Sequence, residues 1–211
     1  MRGLTSRIEK IDFSLRAPYP LSEERGALER ALETLGAVLE DRGERFEVFV
    51  IGGGSLLLTG FIQRPTQDID VVAMAKGTDL VSAHPLPGEL VAAVEDVASL
   101  YGLAKDWLNA GPTALLDLGL PSGFRGRTKT QAYGGLLVHH AGRIDQVFFK
   151  LYATVDTGPR SKHAQDLQRL KPTPRELLDA ARWSRTHDPS EPFESQLLQV
   201  LAWLGVDDAD A

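Results

Sequence analysis

Cysteine is absent from the chain, which excludes disulfides and thiolate metal sites and leaves any metal to oxygen or histidine ligands. No apolar run reaches the length of a membrane span, and the N-terminus carries no hydrophobic signal region. The expected compartment is therefore the cytoplasm, with no membrane partner. Positive charge is in deficit: 23 Lys and Arg against 29 Asp and Glu leave a formal net charge of −6. That balance argues against blanket affinity for nucleic acid, so any RNA contact needs a local basic patch. Internal repeats and low-complexity tracts are also missing. What remains is 211 residues, 43% hydrophobic and 25% charged, an ordinary globular composition that can bury a core in one domain or two small ones.

The most informative stretch runs from Phe46 to Val72. Phe46 to Ile51 are mostly apolar and partly β-branched, as in a strand covered on both faces. Gly52, Gly53 and Gly54 follow; without a Cβ they permit a tight turn and close approach of a ligand. Ser55 to Thr59 would begin a helix whose free N–H groups suit phosphate. A second strand then carries Asp68 and Asp70, which alternation places on one face with Ile69 and Val71 on the other. Two close carboxylates repel, and a hard cation such as magnesium, or manganese, relieves the repulsion while bridging to substrate phosphates. Either feature alone is more often a plain turn or a solvated edge. Two nucleotide motifs do not fit: Leu57 stands where a dinucleotide fingerprint requires glycine, and no Gly-Lys-Ser/Thr follows for a P-loop.

The combination Gly52-Gly53-x-x-Leu56 with Arg64-Pro65-Thr66-Gln67-Asp68-Ile69-Asp70 resembles the signature of the nucleotidyltransferase (polymerase β-like) superfamily. Within it, the chain looks like the AbiEii-type toxin nucleotidyltransferases. Their Lys-Leu-x-Ala helix, basic loop and Asp-Leu-x-x-Leu helix are matched by Lys150-Leu151-Tyr152-Ala153 and Asp166-Leu167-Gln168-Arg169-Leu170. The resemblance covers residues 48–72 and 143–170. It implies an α/β nucleotidyltransferase fold with a short mixed sheet and a C-terminal helical subdomain, divided at 1–144 and 145–211. It implies a metal-dependent transfer of a nucleoside monophosphate from a nucleoside triphosphate to an acceptor hydroxyl on tRNA, another RNA or a protein. It also implies a toxin with a cognate antitoxin. Asp68, Asp70, Lys150 and Asp166 would be catalytic; Gly52, Gly53, Ser55, Arg64 and Thr66 would bind the nucleotide; Asp68 and Asp70 would hold the metal. Lys150 stands out on physical grounds too. Val147, Phe148, Phe149 and Leu151 surround it, so its amine must either snorkel outward or meet an acid or phosphate.

Asp145 is open between two roles, a third metal ligand after a late strand or the cap of a helix starting at Gln146. The alternative is a non-catalytic module that retains the fold, either binding nucleotide or RNA, to which a missing third carboxylate would point, or serving interaction as one half of a toxin–antitoxin pair. Elsewhere, helices are expected over 22–41 with Ser22 as cap, over 89–101, from Pro159, after the Thr173-Pro174 pair, and over 192–204. Residues 76–88 read as a loop. Arg125, Arg127 and Lys129 sit in a further loop where they could meet triphosphate or RNA, and Trp107 with Asn109 could wall a base pocket. His139 and His140 are adjacent on an expected strand, Gly135 to His140, so they face opposite ways and neither is expected as a ligand.

Overall fold

The computed structural model describes residues 21–206. In chain order the elements are α1 (Leu21–Asp41), β1 (Phe46–Ile51), α2 (Gly52–Leu58), β2 (Ile69–Lys76), β3 (Asp79–Val81), α3 (Gly88–Tyr101), β4 (Leu108–Asn109), α4 (Ala114–Leu118), β5 (Lys129–Tyr133), β6 (Leu136–His140), α5 (Arg143–Thr157), α6 (Lys162–Leu170), α7 (Pro174–His187) and α8 (Glu191–Trp203). The architecture is mixed α/β, consistent with a nucleotidyltransferase fold. Strands lie in the order β3-β2-β1-β6-β5, with β4 beside the start of β2. β1 runs parallel to β6 and antiparallel to β2, so the sheet is mixed.

The apolar alternation read in β1 decides which helices cover which face. Val48 and Val50 join Leu28, Leu32 and Leu35 of α1 and Leu90, Val94 and Val97 of α3 in one core. Phe49 and Ile51 point the other way, to Phe124, Ala141 and Phe149. In β2 the alternation slips once. Ile69, Val71 and Met74 face α1 and α3, while Val72 and Ala73 both face Phe149, where the β1–β2 register shifts between Phe49 and Val50. A bulge absorbs the extra residue. Asp70, between Ile69 and Val71, therefore lies on the sheet face turned toward α5.

The helices α5 to α8 pack around Val147, Leu151, Leu167, Leu177, Phe193 and Leu197, and that core also takes in Leu56, Leu57 and Ile62. Apolar packing thus runs across residue 144. α7 opens with the expected Thr173 and Pro174, closed by a reciprocal Thr173–Glu176 capping box.

Several boundaries differ from the sequence reading. The 76–88 loop contains β3, and the basic loop ends in β5. Neither strand carries an apolar pattern; four of the five β5 residues are exposed, and backbone pairing to β6 sustains it. α5 starts at Arg143 rather than Gln146, with Gly142 as its cap. The cap assigned to Ser22 and the segments 1–20 and 207–211 lie outside the described residues.

Candidate active site

β1 ends at Ile51, whose register partner is Asp70. Gly52 turns the chain with φ 78° and begins α2. A Cβ on Gly52 would sit 2.3 Å from Asp70 Oδ2, and one on Gly53 would sit 2.8 Å from Arg64 Nη2. These two glycines line the cleft, and their missing side chains make room for the protein's own acid and arginine. Gly52→Ala is accordingly expected to lower stability by about 1–2 kcal/mol through the left-handed backbone. It should also push the Asp70 carboxyl aside, so turnover falls by more than nucleotide affinity does; denaturation midpoints and steady-state kinetics on one preparation would check both.

The cleft has a volume of about 390 Å³, and Gly52, Gly53, Arg64, Asp68, Asp70 and Lys150 all reach it. Burial first, and then the Asp68 charge, push the Asp70 carboxyl above its ordinary range; a hydrogen bond from Asn109 and the Lys150 charge oppose them. Asn109 Nδ2 donates to Asp70 Oδ1 at 3.4 Å. The Thr66 hydroxyl donates to Asp68 Oδ1, so Thr66 braces an acid.

Lys150, on α5, is 3% exposed, and its Nζ lies 2.7 Å from Asp166 Oδ2. Arg64 grips the same carboxylate from outside, Nε to Oδ1 at 2.8 Å and Nη2 to Oδ2 at 2.7 Å. Burial alone would raise the Asp166 carboxyl, but the two cations outweigh it and hold it below its ordinary value. An ionised Asp166 therefore fixes Lys150 and Arg64 at the edge of the cleft.

The structure brings Asp68, Asp70, Gly52, Gly53, Arg64 and Lys150 to one cleft, with Thr66 and Asp166 supporting them. Ser55 is different. It is fully buried inside α2, and its hydroxyl is 3.3 Å from His140 Nδ1, so it cannot seat a triphosphate. The error lies in the helix start: α2 begins at Gly52, which turns Ser55 inward. Burial keeps His140 neutral by pushing it down to about 4, while His139 stacks on Phe49 and bridges Glu47 and Thr130.

Asp145 fits neither of its expected roles. It is the third residue of α5 rather than the cap, fully buried, and both its oxygens meet Arg127. Asp145→Asn should cost about 1–3 kcal/mol, as for a buried charge left without its partner at a half-open pair. Magnesium-dependent nucleotide affinity should not change; calorimetry beside urea denaturation checks this, and a metal ligand would give the reverse pattern. Arg127 is thus committed to Asp145, Arg125 lies over the Phe49 ring and donates to the Thr78 carbonyl, and Lys129 is an exposed strand residue. Trp107 is buried and donates to the Val94 carbonyl at 3.1 Å, so it walls no base pocket.

Sequence reasoning placed Asn109 at a base pocket rather than on Asp70, and it missed two further contributors. Asn109 reaches Asp70 because β4 pairs with the start of β2, and a two-residue strand leaves no pattern. Lys162 and His163 line the cleft; they stand one helical turn before Asp166, a spacing that could have found them.

Residues 26–109 match the family model described as "Nucleotidyltransferase of unknown function (DUF6036)". Over this stretch the chain is similar to a nucleotidyltransferase. The matched segment contains both acids, the glycine turn, Arg64 and Asn109, and it ends before Lys150 and Asp166. No curated protein and no solved structure matches the chain. Among the described residues no helix is long and apolar enough to cross a membrane.

Proposed function

We propose that the chain transfers a nucleoside monophosphate from a nucleoside triphosphate to an acceptor hydroxyl, releasing pyrophosphate. The observation that carries this reading is the convergence of Asp68, Asp70 and the buried Lys150 on one cleft. The donor set fits a hard divalent cation. Both carboxylates reach the cleft, and burial, followed by the Asp68 charge, raises the Asp70 carboxyl, which a cation between them would relieve. Among the described residues no group of three or more His, Asp or Glu is placed to hold a metal ion, so water and substrate phosphate would have to supply the remaining ligands. Asp68 and Asp70 would hold magnesium or manganese, and when bound it would supply charge neutralisation at the reacting phosphates.

The protein's own groups do the positioning. Asp166 holds the Lys150 amine in place, and Lys150 presents a fixed positive charge to the phosphates. Gly52 and Gly53 leave room for the Asp70 carboxyl and the Arg64 guanidinium to lie against the backbone at the cleft wall. Asn109 and Thr66 orient the two carboxylates. The acceptor hydroxyl gives up its proton to water as its oxygen bonds to the α-phosphorus, the bond to the bridging oxygen breaks, and pyrophosphate leaves with that electron pair. The resemblance of Lys150-Leu151-Tyr152-Ala153 and Asp166-Leu167-Gln168-Arg169-Leu170 to AbiEii-type toxins extends the proposal to a toxin with a cognate antitoxin, which growth arrest and its rescue by co-expression would test.

The commitment of Asp145 to Arg127 favours a second reading, a module that binds nucleotide without turning it over. Incubation with each labelled nucleoside triphosphate, magnesium and total RNA separates the two. Transfer predicts label on RNA or on protein, lost when magnesium is chelated. Metal-dependent nucleotide binding without label transfer would establish the binding module instead, and absence of both would end either reading.

A further inference from the structure

The chain is acidic overall, yet five basic residues fall between 160 and 175: Arg160, Lys162, Arg169, Lys171 and Arg175. All five are exposed. None of them makes an ion pair among the described residues. The sole acid in that segment is Asp166, which is buried and already held by Lys150 and Arg64. Several surface cations elsewhere are neutralised in place, Arg42 by Asp96, Arg45 by Glu40 and Lys105 by Glu95, while Arg30, Lys76, Arg125 and Lys129 are exposed and make no ion pair among the described residues. The five unpaired charges are close in sequence, and two of them share one side of α6. Lys162 lines the cleft at the start of α6, and Arg169 is seven residues on, two turns later on the same side. Lys171 ends α6, and Arg175 lies in the first turn of α7.

We infer that this stripe is a docking surface for the sugar–phosphate backbone of a nucleic-acid strand whose end enters the cleft. The inference deepens the transfer reading by naming the acceptor, and it rests on that reading for the strand's destination. Charge complementarity supports it first: a group of unpaired cations on an acidic protein attracts a polyanion and releases its counterions. The rest of α6 decides between nucleic acid and protein. Its exposed residues are Lys162, Gln165, Gln168 and Arg169, while Ala164, Leu167 and Leu170 are buried. The buried centre of a protein interface is apolar or aromatic and depleted in charge; the exposed face of α6 offers no such centre. Lys162 and Arg169 are about 10 Å apart along the helix axis, which spans about three base-pair steps of a duplex.

The test compares two triple variants of equal net charge in the full chain. One is Arg169→Gln, Lys171→Asn, Arg175→Gln; asparagine suits the left-handed φ of 49° at position 171. The other is Arg42→Gln, Arg45→Gln, Lys105→Gln. Binding of a labelled RNA oligonucleotide is measured against salt, with a polyglutamate peptide as a second probe. The stripe variant should bind RNA at least about tenfold more weakly and lose about 2 from the slope of log affinity against log salt, and the control variant should match the wild type. Magnesium-dependent nucleotide binding, measured by calorimetry, should be unchanged in both variants, so loss of the stripe is distinguishable from failure of the cleft reading. Equal RNA binding by the two variants, or stripe-dependent binding of polyglutamate but not RNA, overturns the inference.

Discussion

Asp166→Asn is expected to destabilise the protein by about 3–5 kcal/mol and to leave it without transfer activity. The carboxylate is buried under Arg64 and Lys150. Arg64 is partly exposed and can turn to water, but Lys150 is 3% exposed and cannot. Removing the acid therefore leaves an ammonium buried without compensation, the case in which breaking an ion pair costs most. Lys150 would lose its proton or leave its place, and either way the cleft loses a fixed cation. The double variant Asp166→Asn/Lys150→Met should recover much of the lost stability, since the orphaned charge is gone, while remaining inactive. Urea denaturation of the four proteins, with the midpoint shifting at constant slope, reads the coupling directly. Additive single-variant costs would show that the two side chains do not depend on one another.

Asp70→Asn should behave in the opposite way. Burial and the Asp68 charge already disfavour the ionised carboxyl, so an uncharged amide of the same shape relieves repulsion. The melting temperature should stay level or rise. Transfer should fall by about 10²–10⁴-fold, because charge stabilisation of several kcal/mol is lost at about 1.4 kcal/mol per factor of ten. Thermal unfolding and single-turnover label transfer on one preparation check the pair of effects. Near wild-type turnover would remove Asp70 from the reaction.

These two sites were legible in the sequence for different reasons. Asp70 sits in a strand whose neighbours Ile69 and Val71 are buried, so alternation alone assigns its face. Lys150 interrupts an apolar run, and an ammonium in such company requires a partner. The partnership of Asp145 with Arg127 left no comparable trace. The two residues are 18 apart, and the acid serves equally well, on paper, as a cap or as a ligand. Ser55 failed through a boundary: three glycines read as a turn form the first turn of α2, and moving a helix start by three residues rotates every later side chain. β5 was illegible because Lys129, Thr130, Gln131 and Ala132 are exposed, and its identity as a strand resides in backbone bonds to β6. Tertiary register supplied what periodicity could not.

The ion pair that holds the cleft together joins residues 102 positions apart, Arg64 and Asp166. During synthesis at about 5–20 residues per second, both cleft acids leave the ribosome roughly 5–20 s before Asp166 follows. Through that interval Arg64 has no carboxylate to hold it, and Lys150, once made, has none either. The nascent chain therefore lacks the carboxylate that fixes Arg64 and Lys150 until α6 docks.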